Sequence, residues 1–196
     1  MAKATLVLAH GAGANSNSEF MVQMSSLIGN QDIKVLRFDF PYMQGRQATG
    51  KKSPPDRMPK LEAAFLEQLE TLPQKNLFIG GKSMGGRVAT MIAEQVKPSG
   101  VICFGYPFHP PGKPEKTRTE HLKTLQTPTL IIQGSRDTFG KPEEVASYDL
   151  SSKIQVKWLD DGNHSLETLK RSAITTEQAW QLAATHARDF ITALSK

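Results

Sequence analysis

Six short runs rich in apolar and β-branched residues recur along the chain: Thr5–Ala9, Ile33–Phe38, Leu77–Gly80, Val101–Phe104, Thr129–Gln133 and Ile154–Leu159. Several are apolar throughout instead of alternating with polar residues, the pattern of strands covered on both faces. Between most of them the apolar period changes from continuous to helical. Leu61, Phe65, Leu69 and Leu72 share one stripe, Val88, Ile92 and Val96 a second, and Trp180, Ala183, Ala187, Phe190, Ile191 and Leu194 a third. Such stripes are core faces of amphipathic helices. Thr176 is the expected cap of the last of them, although Glu177 to Ala179 complete no capping box.

Strands that alternate with helices give a parallel sheet with helices on both faces, and such sheets carry their sites beyond the carboxyl ends of the strands. The 196 residues suffice for one such domain, residues 1–196, and are too few for two ordinary ones. Two stretches rich in proline and charge, Pro41–Pro59 and Pro107–Lys116, follow strands on the side where a site belongs and read as loops.

Composition narrows the function classes. No apolar stretch has the length of a membrane span, so no membrane partner is expected. The start of the chain lacks the charged, apolar and small-residue regions of a signal peptide. The single cysteine, Cys103, forbids an internal disulfide and lies in an apolar run, where it reads as a small core residue. Together these point to the cytoplasm. The net charge of +5 does not indicate a nucleic-acid partner, because the basic residues are scattered and have no interleaved aromatics.

Candidate chemistry begins at Gly81-Lys82-Ser83-Met84-Gly85, between an apolar run and an amphipathic one. Gly-x-Ser-x-Gly at a strand-to-helix junction puts a serine hydroxyl on a strained turn, with small residues two before and two after it. A serine is a poor nucleophile unless a histidine takes its proton and a carboxylate fixes that histidine. Asp137 follows the fifth run and His164 the sixth, each just past a strand end and in the order serine, acid, histidine. Asp160 and Asp161 are rival acids on the histidine's own segment, and Ser83 and Asp137 can each also be read as helix caps. The oxyanion donors expected are the backbone N–H groups of Met84 and, in the small-residue loop His10–Ala14, of Ala12, with Gly13 in reserve. His10 is expected to organise that loop, His186 to be structural, and His109 to line the pocket or lie on a surface loop.

Two nucleotide motifs fail. Gly81-Lys82-Ser83 ends like a P-loop, but Asn76 stands where its first glycine belongs. Gly11-x-Gly13 opens like a dinucleotide fingerprint followed by Asp39, but its third glycine is Ser16.

With these stretches assembled, the chain resembles the α/β-hydrolase superfamily. Within it, the chain is similar to a small hydrolase-like group with a dienelactone-hydrolase-like core, which includes testis-expressed and histone-acetyltransferase-subunit relatives. The matching stretches are Ala9–Ala14, Arg37–Tyr42, Gly80–Arg87, Gly105–Pro107, Gln133–Asp137 and Gly162–His164. The resemblance implies a single-domain, mostly parallel six-stranded sheet flanked by helices, without a separate cap domain. It carries the nucleophile to Ser83, the acid to Asp137 and the base to His164, with no metal and no organic cofactor. The expected activity is serine hydrolysis of a small ester, thioester or related acyl compound. The other classes are a catalytically idle interaction module and, less favoured, a nucleotide-binding protein. Arg46, Lys51, Lys52, Arg57, Lys113 and Lys116 on the two charged loops either select an anionic acyl substrate or simply solvate the surface.

Overall fold

The computed structural model describes residues 2–196. The elements run β1 (Ala4–Ala9), α1 (Glu19–Ile28), β2 (Ile33–Phe38), α2 (Pro41–Thr49), α3 (Met58–Leu69) and β3 (Leu77–Lys82). They continue with α4 (Met84–Val96), β4 (Gly100–Phe104), β5 (Thr129–Gly134), the single-turn α5 (Pro142–Val145), β6 (Ile154–Leu159) and α6 (Thr176–Leu194). The strands form one sheet in the order β2-β1-β3-β4-β5-β6, and every pair is parallel. The expected sheet is therefore present, with no antiparallel strand among the described residues.

Alternate strand residues feed two cores. Val7, Ile79, Val101, Cys103 and Ile131 pack on the face covered by α3 and α4, with Leu61, Phe65, Val88 and Ile92. Leu6, Leu8, Phe78, Ile102 and Ile132 pack on the opposite face against α1 and α6, with Met24, Trp180 and Ile191. Covering on both sides explains the unbroken apolar runs of β3, β4 and β5. The edge strands β2 and β6 are only partly buried and accordingly carry Lys34, Arg37, Gln155 and Lys157.

Three local expectations change. The stretch from Pro41 is not a loop, because α2 occupies most of it and α3 begins at Met58. Pro41 presets the first turn of α2, Tyr42 and Met43 anchor it in the core, and Gly50 ends it at φ 68°. Its polar remainder hid the helical period. The cap of α6 is Thr175, not Thr176: its side chain accepts the Gln178 N–H at 3.2 Å, and the Gln178 side chain accepts the Thr175 N–H at 2.9 Å. Shifting the cap by one residue completes the capping box that Thr176 lacks. The strand β3 also runs two residues further than its apolar run, because Gly81 and Lys82 still pair with β4. No helix among the described residues is long and apolar enough to cross a membrane.

The strand order fixes where a site can form. From β1 the chain winds to β2 on one side, and β3 lies on the other, so the connections leave β1 and β3 in opposite directions. A crevice opens at such a switch point beyond the strand ends. Ala9 pairs with Gly81 there, placing the loop after β1 beside the turn after β3.

Candidate active site

Ser83 sits on that turn at φ 50° and ψ −114°, a backbone region that L side chains seldom adopt. The surrounding glycines make the strain tolerable. A Cβ on Gly81 would stand 2.4 Å from the Ala9 carbonyl oxygen, and one on Gly85 would meet the same oxygen at 2.4 Å. The elbow is pressed against the end of β1 so closely that only glycine fits on either side. Ser83 occupies the cap position of α4, yet its hydroxyl caps nothing. It lies 2.7 Å from His164 Nε2 instead.

His164 Nδ1 donates to Asp137 Oδ2 at 2.8 Å. That bond sets the tautomer: with the proton on Nδ1, Nε2 is free to accept from Ser83. Asp137 is fully buried, as a group that orients a histidine without exchanging with solvent should be. Its charge is met by three donors, since Oδ2 also accepts from Gln133 Nε2 at 3.0 Å and Oδ1 accepts the Phe139 N–H at 2.8 Å. The rival acids are elsewhere. Asp160 is exposed, and Asp161 acts through its backbone, donating its N–H to the Ser135 hydroxyl oxygen and accepting Arg136 Nε on its carbonyl.

The loop after β1 is shaped by two side chains. His10, wholly buried, donates from Nδ1 to the Gly11 carbonyl at 2.6 Å and accepts the Phe40 N–H on Nε2 at 3.0 Å. Burial lowers its pKa, which keeps the ring neutral and suits a nitrogen that accepts. The Tyr42 hydroxyl donates to the Ala12 carbonyl at 2.9 Å, and burial pushes its pKa up to about 12. In a trans peptide the N–H points opposite to the carbonyl. Turning the Gly11 and Ala12 carbonyls toward His10 and Tyr42 therefore turns the Ala12 and Gly13 N–H groups the other way. The N–H groups of Ala12, Gly13 and Met84 donate to no other group among the described residues.

Two arms of one cleft meet at Ala12, Ser83 and Phe139. The first arm, about 410 Å³, is lined by Phe20, Lys82, His164, Glu167 and Trp180 among others. The second, about 360 Å³, runs past Met84 between Met58, Leu61, Pro107, Arg87 and Arg118. Ser83, Asp137 and His164 are thus brought together, with Ala12 and Met84 beside them. His109 is not part of the cleft: it is 2% exposed and bonded to Glu144 Oε2 at 3.0 Å. Cys103 lies fully buried in β4, where burial raises its thiol pKa. None of Arg46, Lys51, Lys52, Arg57, Lys113 and Lys116 lines either arm; the two stretches reach the cleft beside Ser83 through Pro55, Asp56, Met58 and Pro107 instead. Arg46 instead lies over the Tyr42 ring at 5.0 Å and bonds the Ser53 carbonyl.

The roles of four supporting residues escape sequence reasoning, although Gln133, Gly105 and Arg87 lie in the matching stretches. Gln133 is fully buried among apolar neighbours, and its amide ties Asp137 to the Tyr106 backbone, accepting that N–H at 2.8 Å. A polar residue ending an apolar strand is the one signal that could have found it. Phe139 stacks on the His164 ring at 4.0 Å. Gly105, at φ 67°, lets the His164 carbonyl approach to where a Cβ would lie only 2.6 Å away. Arg87 lines the cleft one turn beyond Ser83.

The alpha/beta hydrolase domain family matches residues 2–192. Among solved structures, a dienelactone hydrolase from Anabaena variabilis superimposes with a TM-score of 0.71 at 18% identity, over 100% of this chain and 88% of that one. An α/β serine hydrolase without a lid from Xanthomonas campestris gives 0.68 at 20% identity, over 95% and 83% of the two chains. The esterase domain of a Rhodothermus marinus protein gives 0.64 at 17% identity, over 97% and 89%. At these identities the structural likeness speaks for the fold, and no separate cap interrupts it. With the family match spanning nearly every residue, the chain belongs to the α/β-hydrolase superfamily.

Proposed function

We propose that this protein is a serine hydrolase that cleaves a small ester, thioester or related acyl compound. One observation carries the reading: Ser83 Oγ, His164 and the buried Asp137 form an unbroken hydrogen-bonded relay of 2.7 and 2.8 Å. His164 Nε2 takes the Ser83 proton as Oγ bonds to the substrate carbonyl carbon. The carbonyl oxygen becomes an oxyanion between the Ala12 and Met84 N–H groups, and α4 adds the positive end of its dipole there. Collapse of the tetrahedral species breaks the bond to the leaving alcohol or thiol, which leaves with the proton from His164. Water then attacks the acyl-Ser83 with the same histidine as base, releasing the acid and restoring Ser83.

Two arms of a few hundred cubic ångströms suit a small substrate with a group on each side of the scissile bond. A single buried cysteine fits a reducing compartment, in line with a cytoplasmic enzyme. The narrower kinship with testis-expressed and histone-acetyltransferase-subunit relatives rests on the sequence stretches alone. The deciding experiment is labelling with a fluorophosphonate followed by mass spectrometry. The expected adduct is on Ser83, and Ser83→Ala is expected to lose on the order of 10⁶ in kcat on a chromogenic ester. Absence of the adduct, or hydrolysis retained by clean Ser83→Ala protein, would leave an idle hydrolase fold as the better reading.

A further inference from the structure

The second arm of the cleft holds two arginines whose charge no carboxylate answers among the described residues. Arg87 follows Ser83 by four residues on α4, so the two side chains project from neighbouring turns into the same arm. Its Nε is buried without a hydrogen-bond partner, alone in this among the side-chain nitrogens and oxygens of the described residues. Arg118 lines the arm as well, and its side chain makes one long bond, from Nη1 to the Pro107 carbonyl at 3.5 Å. Neither guanidinium enters an ion pair among the described residues. Arg118 feels the Arg87 charge: burial and then that charge lower its pKa, and the same two causes hold His121 down to about 4.

The one carboxylate in that arm is already engaged. Asp56 Oδ1 is held by Lys60 Nζ at 2.9 Å, and Oδ2 accepts the Tyr42 N–H at 2.9 Å. Across Ser83 the balance reverses. The first arm sets Glu19 and Glu167 against Lys82, whose ammonium lies 5.3 Å over the Phe20 ring. The cleft is therefore electropositive on one side of the nucleophile only.

Buried donors are almost always satisfied, and leaving a charged one unpaired is costly. A fold retains that cost where a ligand supplies the missing acceptor. A planar guanidinium suits the two oxygens of a carboxylate or phosphate. We propose that Arg87 and Arg118 form a subsite for a carboxylate or phosphate group of the substrate, placed a few bonds from the scissile carbonyl. This rests on Ser83 being the nucleophile, and it moves anion recognition from the basic loops to the floor of the cleft.

The test compares three esters of matched length: a neutral one, one ending in a carboxylate and one ending in a phosphate. Wild type is expected to favour one anionic ester over the neutral one by about 10- to 100-fold in kcat/KM, the range for hydrogen bonds to charged groups. The preferred member tells the two anions apart. That ratio should fall to about one in Arg87→Met and in Arg118→Met, and recover partly in Arg87→Lys. Thermal melts should show Arg87→Met at least as stable as wild type, because it removes an unpaired buried donor. An arginine with a purely structural role would instead lower the melting temperature.

Binding is read apart from chemistry by calorimetry with the same esters on Ser83→Ala, and by phosphate or dicarboxylate inhibition of wild type. Equal affinity and turnover for charged and neutral esters in wild type would overturn the subsite while leaving Ser83 as nucleophile. So would a preference that survives both arginine substitutions. If Ser83 resists labelling, the hydrolase reading fails, and calorimetry still decides whether the arm binds anions.

Discussion

Replacing Asp137 with asparagine tests the geometry of the relay more sharply than removing a residue does. Asp137 offers two acceptor oxygens to three donors: His164 Nδ1 at 2.8 Å, Gln133 Nε2 at 3.0 Å and the Phe139 N–H at 2.8 Å. Asparagine has one acceptor oxygen, so one side must turn an NH₂ toward a donor. The two orientations differ in what they strand. If the oxygen faces His164, the Phe139 N–H meets an NH₂ and has no other acceptor. If the oxygen faces Phe139, Gln133 Nε2 loses Asp137 but retains the carbonyls of Tyr106 at 3.1 Å and Gly140 at 3.3 Å. The second orientation therefore wins, and it presents an N–H to His164 Nδ1. The ring answers by moving its proton to Nε2, which then donates to Ser83 where it should accept. The base is lost, at a cost near 10⁴ in kcat, or about 5.5 kcal/mol of transition-state stabilisation.

Losing charge-assisted bonds should also cost on the order of 2 kcal/mol of stability, about 4–8 °C in melting temperature. The assay is kcat/KM on a neutral chromogenic ester, with thermal melts confirming a folded variant. Asp160→Asn and Asp161→Asn serve as controls, because neither side chain meets the relay; Asp161 holds its loop by backbone bonds at φ 57°, which asparagine tolerates. Both should stay within about threefold of wild type, since neither touches the reacting groups. A loss below tenfold for Asp137→Asn, or a greater loss in either control, would refute the assignment of the acid.

Two further substitutions probe the scaffold. Gly85→Ala drives a Cβ to 2.4 Å from the Ala9 carbonyl and 2.6 Å from the His10 carbonyl, both backbone atoms that cannot swing aside. It should cost about 3 kcal/mol in denaturant unfolding and slow fluorophosphonate labelling, because β1 leads into the loop of Ala12 beside Ser83; a variant as stable as wild type would show that the elbow is looser than described. The His109–Glu144 pair predicts a pH dependence of stability. Burial alone would lower the His109 pKa, but bonds to the Pro110 carbonyl and the Glu144 carboxylate raise it above its ordinary 6.5. Its contribution is therefore whole below pH 6.5 and is lost as pH rises through the higher folded value. The Glu144 pKa is lowered from 4.5, by the Lys141 N–H first and then by His109, so its contribution is whole above pH 4.5 and is lost as pH falls through the lower folded value. The melting temperature should peak between these limits and fall on the alkaline side by about 2–4 °C, for roughly 1 kcal/mol. Glu144→Gln should flatten that slope, and an unchanged slope would remove the pair as its cause.

What the sequence disclosed and what it hid follow from one physical distinction. Where backbone meets backbone, the demand falls on single residues and leaves a mark. Gly81 and Gly85 must lack a side chain because both face the Ala9 carbonyl, and that requirement is readable at Gly-x-Ser-x-Gly. Strands covered on both faces must be apolar, so β3, β4 and β5 announce themselves, and the order of the strand ends then lines up Ser83, Asp137 and His164. The helix α2 went unread because its anchors, Tyr42 and Met43, are adjacent and give no periodic stripe. Residues that act through a partner on another element leave little local mark, Gln133 only that of a polar residue ending an apolar strand. Gln133 reaches Asp137 and Tyr106, Phe139 covers His164 across 25 positions, and Arg87 faces Arg118 from another element. The charged loops left two readings open for the same reason: charge is visible in a sequence, but burial of charge is not. Lys51, Lys52, Lys113 and Lys116 are exposed and spend their charge in solvent, whereas Arg87 holds its own beside Ser83 with one nitrogen sealed from water. On the reading proposed here, then, bond breaking belongs to residues placed where strands end, and substrate choice to Arg87 one helical turn further on, where no backbone constraint dictates the residue.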